Sequence, residues 1–184
     1  MLWLWIVIGV VVLLLFFAVL TYNKLVRLRN ETQTGWANID VQLKRRSDLV
    51  PNLVEAVKGY AAHERETFDE ITQARVAAQH ASSPGAAAQA DAEMAPALNR
   101  LLAVSEAYPE LRASENFLKL QQELADIEDK LAASRRYYNQ TVYRYHTVKQ
   151  SFPAVVIAGP LGFREREFFG TDERAPVNVS FAAA

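Results

Sequence analysis

One largely apolar stripe runs without interruption along the second half of the chain. Its members follow one another in alternating steps of three and four residues: Phe117, Leu120, Leu124, Ile127, Leu131, Ser134, Tyr138, Thr141, Tyr145, Val148 and Phe152. No Pro or Gly lies between Phe117 and Phe152, so no residue there breaks a helix. A seven-residue repeat of this length predicts a long helix, packed against partners in coiled-coil fashion. At about 1.5 Å per residue it would be on the order of 50 Å long.

The N-terminus carries a second strong signal, an apolar segment long enough to cross a membrane. Residues 2–21 contain no charged residue, and about twenty helical residues match the thickness of a hydrocarbon core. Trp3 and Trp5 lie at one end and Tyr22 at the other, as in the aromatic belts of membrane proteins. The segment lacks the basic start and the A-x-A site of a cleaved signal peptide. We therefore predict a retained transmembrane helix over residues 1–22, with the lipid bilayer as the first partner.

The basic residues around this segment predict its orientation. No Lys or Arg precedes it, whereas Lys24, Arg27 and Arg29 follow it closely. Positive residues favour the cytoplasmic side of a membrane. The predicted topology is therefore single-pass, with the N-terminus outside and the rest of the chain in the cytoplasm.

Composition excludes several classes of function for the rest of the chain. The chain has 184 residues and a formal net charge of −1, so no strong overall positive field attracts nucleic acid. It contains no Cys, which excludes disulfides, thiolate catalysis and Cys-ligated metals. We expect one domain beyond the span, no nucleic-acid partner and no cofactor.

Local signals divide residues 23–151 into four predicted helices, at about 23–46, 51–81, 86–108 and 114–151. Ser47 and Asp48 are cap-type residues, and Pro51 suits the first turn of a helix, which together predict a turn at 47–50. Short links imply antiparallel neighbours. The predicted fold is all-α: a transmembrane helix continuous with an antiparallel, coiled-coil-like four-helix bundle.

Two regions follow the predicted bundle. By length, the fourth helix should overshoot the first and bring residues after about 141 to the membrane surface. Residues 152–163 carry no charge and are too short to span a bilayer. Two interpretations of residues 152–170 stay open: a segment in or beside the membrane surface, or a cap over the end of the bundle core in water. Residues 171–184 are expected to form a polar, poorly ordered tail.

Several motifs together resemble those of the LemA family. They are Tyr22-Asn23-x-Leu25-Val26, Trp36 with Ile39-Asp40-Val41-Gln42-Leu43-Lys44-Arg45-Arg46, Asp48-Leu49-Val50-Pro51-Asn52-Leu53-Val54, Gly59-Tyr60-Ala61, His63-Glu64, Ala74-Arg75, Glu106-x-Tyr108-Pro109-x-Leu111 and Arg135-x-x-Tyr138-Asn139. The resemblance implies a bacterial protein anchored in the cytoplasmic (inner) membrane with a four-helix bundle, and it implies no known biochemical activity. This chain departs from the pattern at Tyr145-His146, where a second Tyr-Asn pair is expected.

Polar residues on the predicted buried stripes are the candidate site. By counting from the 47–50 turn, Glu64 should lie level with Trp36, with Asp40, Arg75, Arg135 and Asn139 in or beside the same seams. One interpretation is a buried network that fixes which helices pack together; another is a polar pocket for a ligand or partner side chain. The structural or interaction candidates are Trp36, Asp40, Arg45, Arg46, Pro51, Glu64, Arg75, Tyr108, Arg135, Tyr138 and Asn139.

No recognised catalytic pattern accompanies these residues. A di-iron bundle would need Glu-x-x-His pairs, and none of His63, His80 and His146 has Glu three positions before it. The leading hypothesis is a non-enzymatic membrane protein that acts through assembly, as a homo-oligomeric scaffold or as an adaptor for an unknown protein partner. The alternatives are a ligand- or stress-sensing module around Glu64 and, more remotely, an enzyme of unrecognised type.

Overall fold

The computed structural model describes residues 2–170, which contain six helices and no β-strand. The helices are α1 (Leu2–Lys58), α2 (Arg65–His80), α3 (Pro84–Glu106), α4 (Pro109–Arg112), α5 (Glu115–Gln150) and α6 (Ala154–Ala158). The predicted all-α fold is thus confirmed for the described residues. The predicted tail at 171–184 lies outside them.

Helix α1 joins the apolar N-terminal segment to the packed part of the protein without a break. Within residues 2–170 its first turns pack against no other element, and their large apolar side chains are exposed up to Leu20. From Leu25 onward, one side of α1 is buried. Among the described residues α1 is the one helix long and apolar enough to cross a membrane, so its N-terminal part is compatible with membrane anchoring.

Helices α1 and α5 form a long antiparallel pair with a fixed register. Leu28 shares a hydrophobic cluster with Tyr145, the backbone of Tyr138 lies against Gly35, and Arg46 reaches Glu128. Each step forward along α1 is therefore matched by a step backward along α5. The predicted stripe of α5 is buried or half-buried from Phe117 to Val148. Coiled-coil packing along it stays a prediction.

Helices α2 and α3 lie beside the C-terminal half of α1. Arg75 of α2 contacts the backbone of Ser47, and Asp91 of α3 contacts Arg46. The largest hydrophobic cluster lies between these helices and the first half of α5, and the residues that contribute to it from α2 and α3 include Ile71, Met94 and Leu101. The antiparallel four-helix bundle as a whole stays a prediction.

The predicted turn at 47–50 is wrong. Helix α1 continues through Pro51 to Lys58, and the chain turns at residues 59–64 instead. Proline lacks the N–H that would bond the carbonyl four residues earlier, here that of Ser47. The Arg75 side chain donates to this carbonyl at 2.9 Å and so replaces the missing backbone donor.

Helix α3, predicted at about 86–108, spans Pro84–Glu106 and continues through Pro96. Two further expectations are corrected by the structure. Helix α5 ends at Gln150, so Phe152 does not continue the buried stripe and is 84% exposed. Helix α5 does not overshoot, because α1 extends to Lys58 and is long enough to match it.

Candidate functional site

Four charged side chains from three helices meet in the middle of the protein. Arg46 donates through Nη2 to Asp91 Oδ1 at 2.5 Å and through Nη1 to Glu128 Oε1 at 2.9 Å. Arg135 Nη2 lies 2.5 Å from the same Asp91 Oδ1. Two guanidinium groups thus share one carboxylate oxygen. We call these residues the charged cluster.

The central residues of the charged cluster are buried, so their charges need partners. Arg46 is 1% exposed and Asp91 is 8% exposed. A buried charge is tolerated when it is paired and hydrogen-bonded, and the loss of one partner is costly. The pairing links α1, α3 and α5 at one level. Such a cluster favours one register of these helices over others.

Residues 163–170, here called the strap, run back along α5 in the direction opposite to the helix. Tyr145 Oη donates to the Arg164 carbonyl at 2.7 Å, and the Arg166 N–H donates to His146 Nε2 at 3.1 Å. Seven residues earlier on α5, Tyr138 Oη donates to the Glu167 carbonyl at 2.6 Å. Each of these bonds is made to the backbone of the strap.

Asn139 holds the end of the strap through both ends of its amide. Its Nδ2 donates to the Phe169 carbonyl at 3.0 Å, and its Oδ1 accepts from the Phe169 N–H at 2.9 Å. Tyr138-Asn139 and Tyr145-His146, one heptad apart, therefore both bind the strap by side-chain hydrogen bonds to its backbone. His146, where the chain departs from the family pattern, still makes such a bond, since a neutral imidazole nitrogen can accept the bond that an amide oxygen would accept.

Aromatic side chains connect the strap to the charged cluster. Phe169 is buried beside Trp36, with ring centroids 6.4 Å apart. The Arg135 guanidinium lies 5.1 Å from the Phe169 ring centroid, within the range of a cation–π contact. Arg135 thus contacts Asp91 on one side and the strap on the other.

Burial also changes the proton affinity of the groups that hold the strap. It raises the pKa of Tyr138 to about 12, and nearby Arg166 and Glu167 have smaller, opposing effects. The pKa of Tyr145 is raised for the same reason. The pKa of His146 is lowered, chiefly by burial. These shifts favour the neutral form of all three groups.

The structure brings together five of the candidates predicted from sequence. Arg46 and Arg135 belong to the charged cluster, while Trp36, Tyr138 and Asn139 contact one another or the strap. Arg75 lies away from them and bonds the carbonyl exposed by Pro51. Arg75 therefore does not belong to the charged cluster, and Pro51 lies inside α1 and not in the first turn of a helix.

The prediction for Glu64 is wrong. Glu64 is half-buried at the start of α2, and its side chain makes no cap hydrogen bond. Its backbone N–H donates to the Ala61 carbonyl within the turn at residues 59–64. It does not lie level with Trp36, because the chain turns at 59–64 and not at 47–50. A buried polar pocket around Glu64 therefore has no geometric basis.

The remaining candidates lie outside the charged cluster. Asp40 pairs with Lys44 at 2.8 Å on the surface, and Arg45 is exposed. Tyr108 precedes α4 and is half-buried against the largest hydrophobic cluster, between α2, α3 and the first half of α5. Asp40 and Arg45 are thus surface residues of α1, and Tyr108 contributes to hydrophobic packing.

The anchor candidates occupy the N-terminal part of α1. Trp3 and Trp5 are exposed near its start. At the other end of the apolar segment, the Tyr22 and Phe163 rings lie 5.7 Å apart, and Arg29 lies over the Phe163 ring. Lys24 and Arg27 are exposed on the same stretch of helix.

Sequence reasoning missed three residues of the site. Asp91 shares the α3 stripe with Ala87, Met94 and Leu98. An acid on an otherwise apolar stripe could have indicated a buried ion pair. Glu128 follows the stripe residue Ile127 and gave no signal of its own. Phe169 could not be linked to Asn139, since nothing local relates residues thirty positions apart. Within residues 2–170, no group of three or more His, Asp or Glu side chains is placed to hold a metal ion.

Comparison with known proteins identifies relatives of this chain. It is 27% identical to magnetosome protein MamQ 1 of Paramagnetospirillum magneticum, a match that covers 80% of this chain and 64% of that protein. Protein LemA of Metamycoplasma hominis is 28% identical, over 85% of this chain and 72% of the relative. The chain thus spans less than two thirds of the length of the MamQ relative.

A family model also matches most of the chain. The model of the LemA family matches residues 35–181. This range includes the charged cluster, the strap, helices α2 to α6 and the part of α1 from Gly35 onward. The chain belongs to the LemA family.

Proposed function

We propose that this protein is a membrane-anchored helical scaffold that acts through assembly, by associating with further copies of itself or by holding a partner protein at the membrane. The observation that carries the proposal is the continuity of α1, which runs from Leu2 to Lys58 without a break. A helix that leaves the bilayer and enters a packed domain without a loop transmits position and orientation. A flexible tether would transmit neither.

The helix pairings support a rigid domain on this anchor. Helices α1 and α5 pack along their shared length, and α2 and α3 pack on the distal half. We infer an antiparallel four-helix bundle that stands on the bilayer. The charged cluster maintains its register, because a slip of one turn between α1 and α3 would separate Arg46 from Asp91, and breaking a buried ion pair is costly.

The relatives support a role in assembly. The MamQ relatives are named magnetosome proteins, a name that refers to no reaction. Applied to this chain, the name favours a structural role over a catalytic one. The proposed site of action is a bacterial cytoplasmic membrane, with the packed domain on the cytoplasmic side, where Lys24, Arg27 and Arg29 are favoured.

Two experiments test the proposal. Carbonate extraction of membranes should leave the full chain in the membrane fraction, and release into the soluble fraction would contradict the anchor. Mass photometry of the full chain in nanodiscs should detect particles with more than one copy. If every particle contained one copy, self-association would be wrong and the adaptor role would be the remaining form of the proposal.

A topology experiment tests the orientation. The chain contains no Cys, so a single Lys119→Cys variant carries one reactive thiol at the distal end of α5. In intact cells, a reagent that does not cross membranes should leave this thiol unlabelled until the membrane is permeabilised. Labelling before permeabilisation would place the domain outside.

A further inference from the structure

Helix α6 has two contrasting faces. Ala154 and Ala158 are buried against Leu25, Leu28 and Tyr145, where their small size permits close approach. Around α6 the side chains of Phe152, Val155, Val156 and Leu161 are exposed. The buried face packs on this part of the core. The two interpretations from sequence, a segment at the membrane surface or a cap in water, differ in what the other face meets. The exposed face is left without a partner in the described chain.

The position of this exposed face relates it to the anchor. Phe163, which follows α6, contacts the Tyr22 ring at the end of the apolar segment. Leu25 and Leu28, which α6 covers, lie one to two helical turns beyond Tyr22. That distance is on the order of 5–9 Å along the helix, which is comparable with the headgroup layer of a bilayer. The exposed apolar side chains therefore lie at the depth where a membrane that surrounds α1 would end.

Basic side chains lie at the same level. Lys24, Arg27 and Arg144 line a shallow groove between α1 and α5. One acid, Glu31, shares the groove and lies 3.8 Å from Arg27, so the groove keeps a net positive charge. Apolar side chains beside basic ones are typical of surfaces that lie in the interface of anionic bilayers.

We propose that Phe152, Val155, Val156 and Leu161 form a second membrane contact, inserted into the surface of an anionic bilayer beside the spanning helix. This inference rests on the anchoring proposed above. With a single spanning helix, the helix and the domain would still rotate and tilt together as one body in the bilayer. A second contact on one side prevents this and presents a constant face of the domain to neighbouring molecules.

Three single-Cys variants of the full chain in nanodiscs test this contact. Each carries an environment-sensitive fluorophore: Val156→Cys on the exposed face, Leu118→Cys as an exposed apolar control at the distal end of α5, and Leu14→Cys in the apolar segment. Lipids that carry a quencher should reduce emission at positions 14 and 156 and leave position 118 unchanged. Emission at 156 should also shift to the blue relative to 118.

The three positions separate failure of the inference from failure of the anchor. If position 14 is quenched while 156 behaves like 118, the second contact is wrong and the anchor stands. If position 14 is not quenched, the anchoring proposal itself fails, and the second contact fails with it.

Two variants test the chemistry of the contact. With the probe moved to Leu161→Cys, Val155→Glu should abolish quenching at 161, whereas Leu118→Glu should leave it unchanged. Quenching should be stronger in bilayers with anionic lipids than in zwitterionic ones, and Arg144→Glu should remove that difference. The control Arg136→Glu, exposed on the same helix outside the groove, should retain it. Equal quenching in both bilayers would overturn the role of the basic groove, and unchanged quenching with Val155→Glu would overturn the apolar contact.

Discussion

Arg75 Nε donates a hydrogen bond of 2.9 Å to the backbone carbonyl of Ser47. That carbonyl is the one that Pro51 leaves without an intrahelical donor. Ser47 is buried, so without Arg75 the carbonyl would be unsatisfied away from water. A side chain on α2 therefore allows α1 to continue through proline toward Lys58, and it fastens α2 to α1 at the same point.

Replacement of Arg75 should destabilise the protein. Arg75→Ala leaves the Ser47 carbonyl unpaired, which costs about 1–3 kcal/mol for a buried group. Chemical unfolding of the full chain in detergent, followed by circular dichroism, measures this. Arg100→Ala is the matched control, because Arg100 pairs with Glu70 on the surface and exposed pairs contribute at most about 1 kcal/mol.

A double-mutant cycle tests the explanation that involves proline. Pro51→Ala restores a backbone N–H that can bond the Ser47 carbonyl, so Arg75→Ala should cost less in that background than in the native chain. Equal costs in both backgrounds would show that Arg75 and Pro51 act independently, contrary to the relationship described here.

Asp91 should be more important for stability than the exposed acids of the protein. Asp91→Ala leaves Arg46 buried without its closest partner and removes the acceptor of Arg135, a loss of about 3–5 kcal/mol. Unfolding of the full chain measures it, with Asp40→Ala as control, since Asp40 pairs only with exposed Lys44 in the described structure. Similar losses in the two variants would argue against the charged cluster as a register device.

The strap should detach from α5 when Asn139 is replaced. Asn139→Ala removes both hydrogen bonds to the Phe169 backbone, so the Phe169 amide should exchange with solvent much faster. Hydrogen exchange read by mass spectrometry checks this over residues 163–170. Asn139→Asp is the informative control, because it retains the acceptor for the Phe169 N–H and should protect that amide more than Asn139→Ala does.

Acidification should weaken the strap through His146. Its neutral Nε2 accepts from the Arg166 N–H, and burial lowers the pKa of His146 below 6.5. The unfolded chain therefore binds this proton at higher pH than the folded one does, and stability falls as pH decreases from about 6.5 to the lower folded value. The charged groups that affect this pKa are Glu165 and Lys149, with smaller, opposing effects.

Melting temperatures recorded between pH 7.5 and pH 5.5 test the His146 effect. His146→Gln should show a shallower decrease than the native chain. His63→Gln should match the native chain, because His63 is exposed in the distal turn. An unchanged slope in His146→Gln would assign the pH dependence to other groups.

The sequence predicted the parts of this fold that depend on periodicity. The stripe of α5 and the continuation of α1 beyond Tyr22 follow from regular spacing over many turns, where local interruptions matter little. The turn at 47–50 was wrong because Ser47, Asp48 and Pro51 are local signals. The residue that overrides them, Arg75, lies 28 positions away.

The candidate site was predictable only in part for the same reason. Arg135 and Asn139 were recognisable as polar residues in or beside buried stripes, whereas the burial of Arg46 was not predicted. Their partners Asp91 and Phe169 depend on how α3 and the strap return to α5, which no local pattern specifies. Glu64 was misplaced because its level was counted from a turn that the chain does not make.

The central claim is that one rigid helix carries the domain out of the membrane. Spin labels on the exposed positions Leu14→Cys and Val41→Cys, diluted with unlabelled protein in nanodiscs, measure this by pulsed electron paramagnetic resonance. An unbroken helix predicts a narrow distance distribution centred at about 40 Å, from a rise of about 1.5 Å per residue. A broad distribution, or one centred at a much shorter distance, would contradict the account.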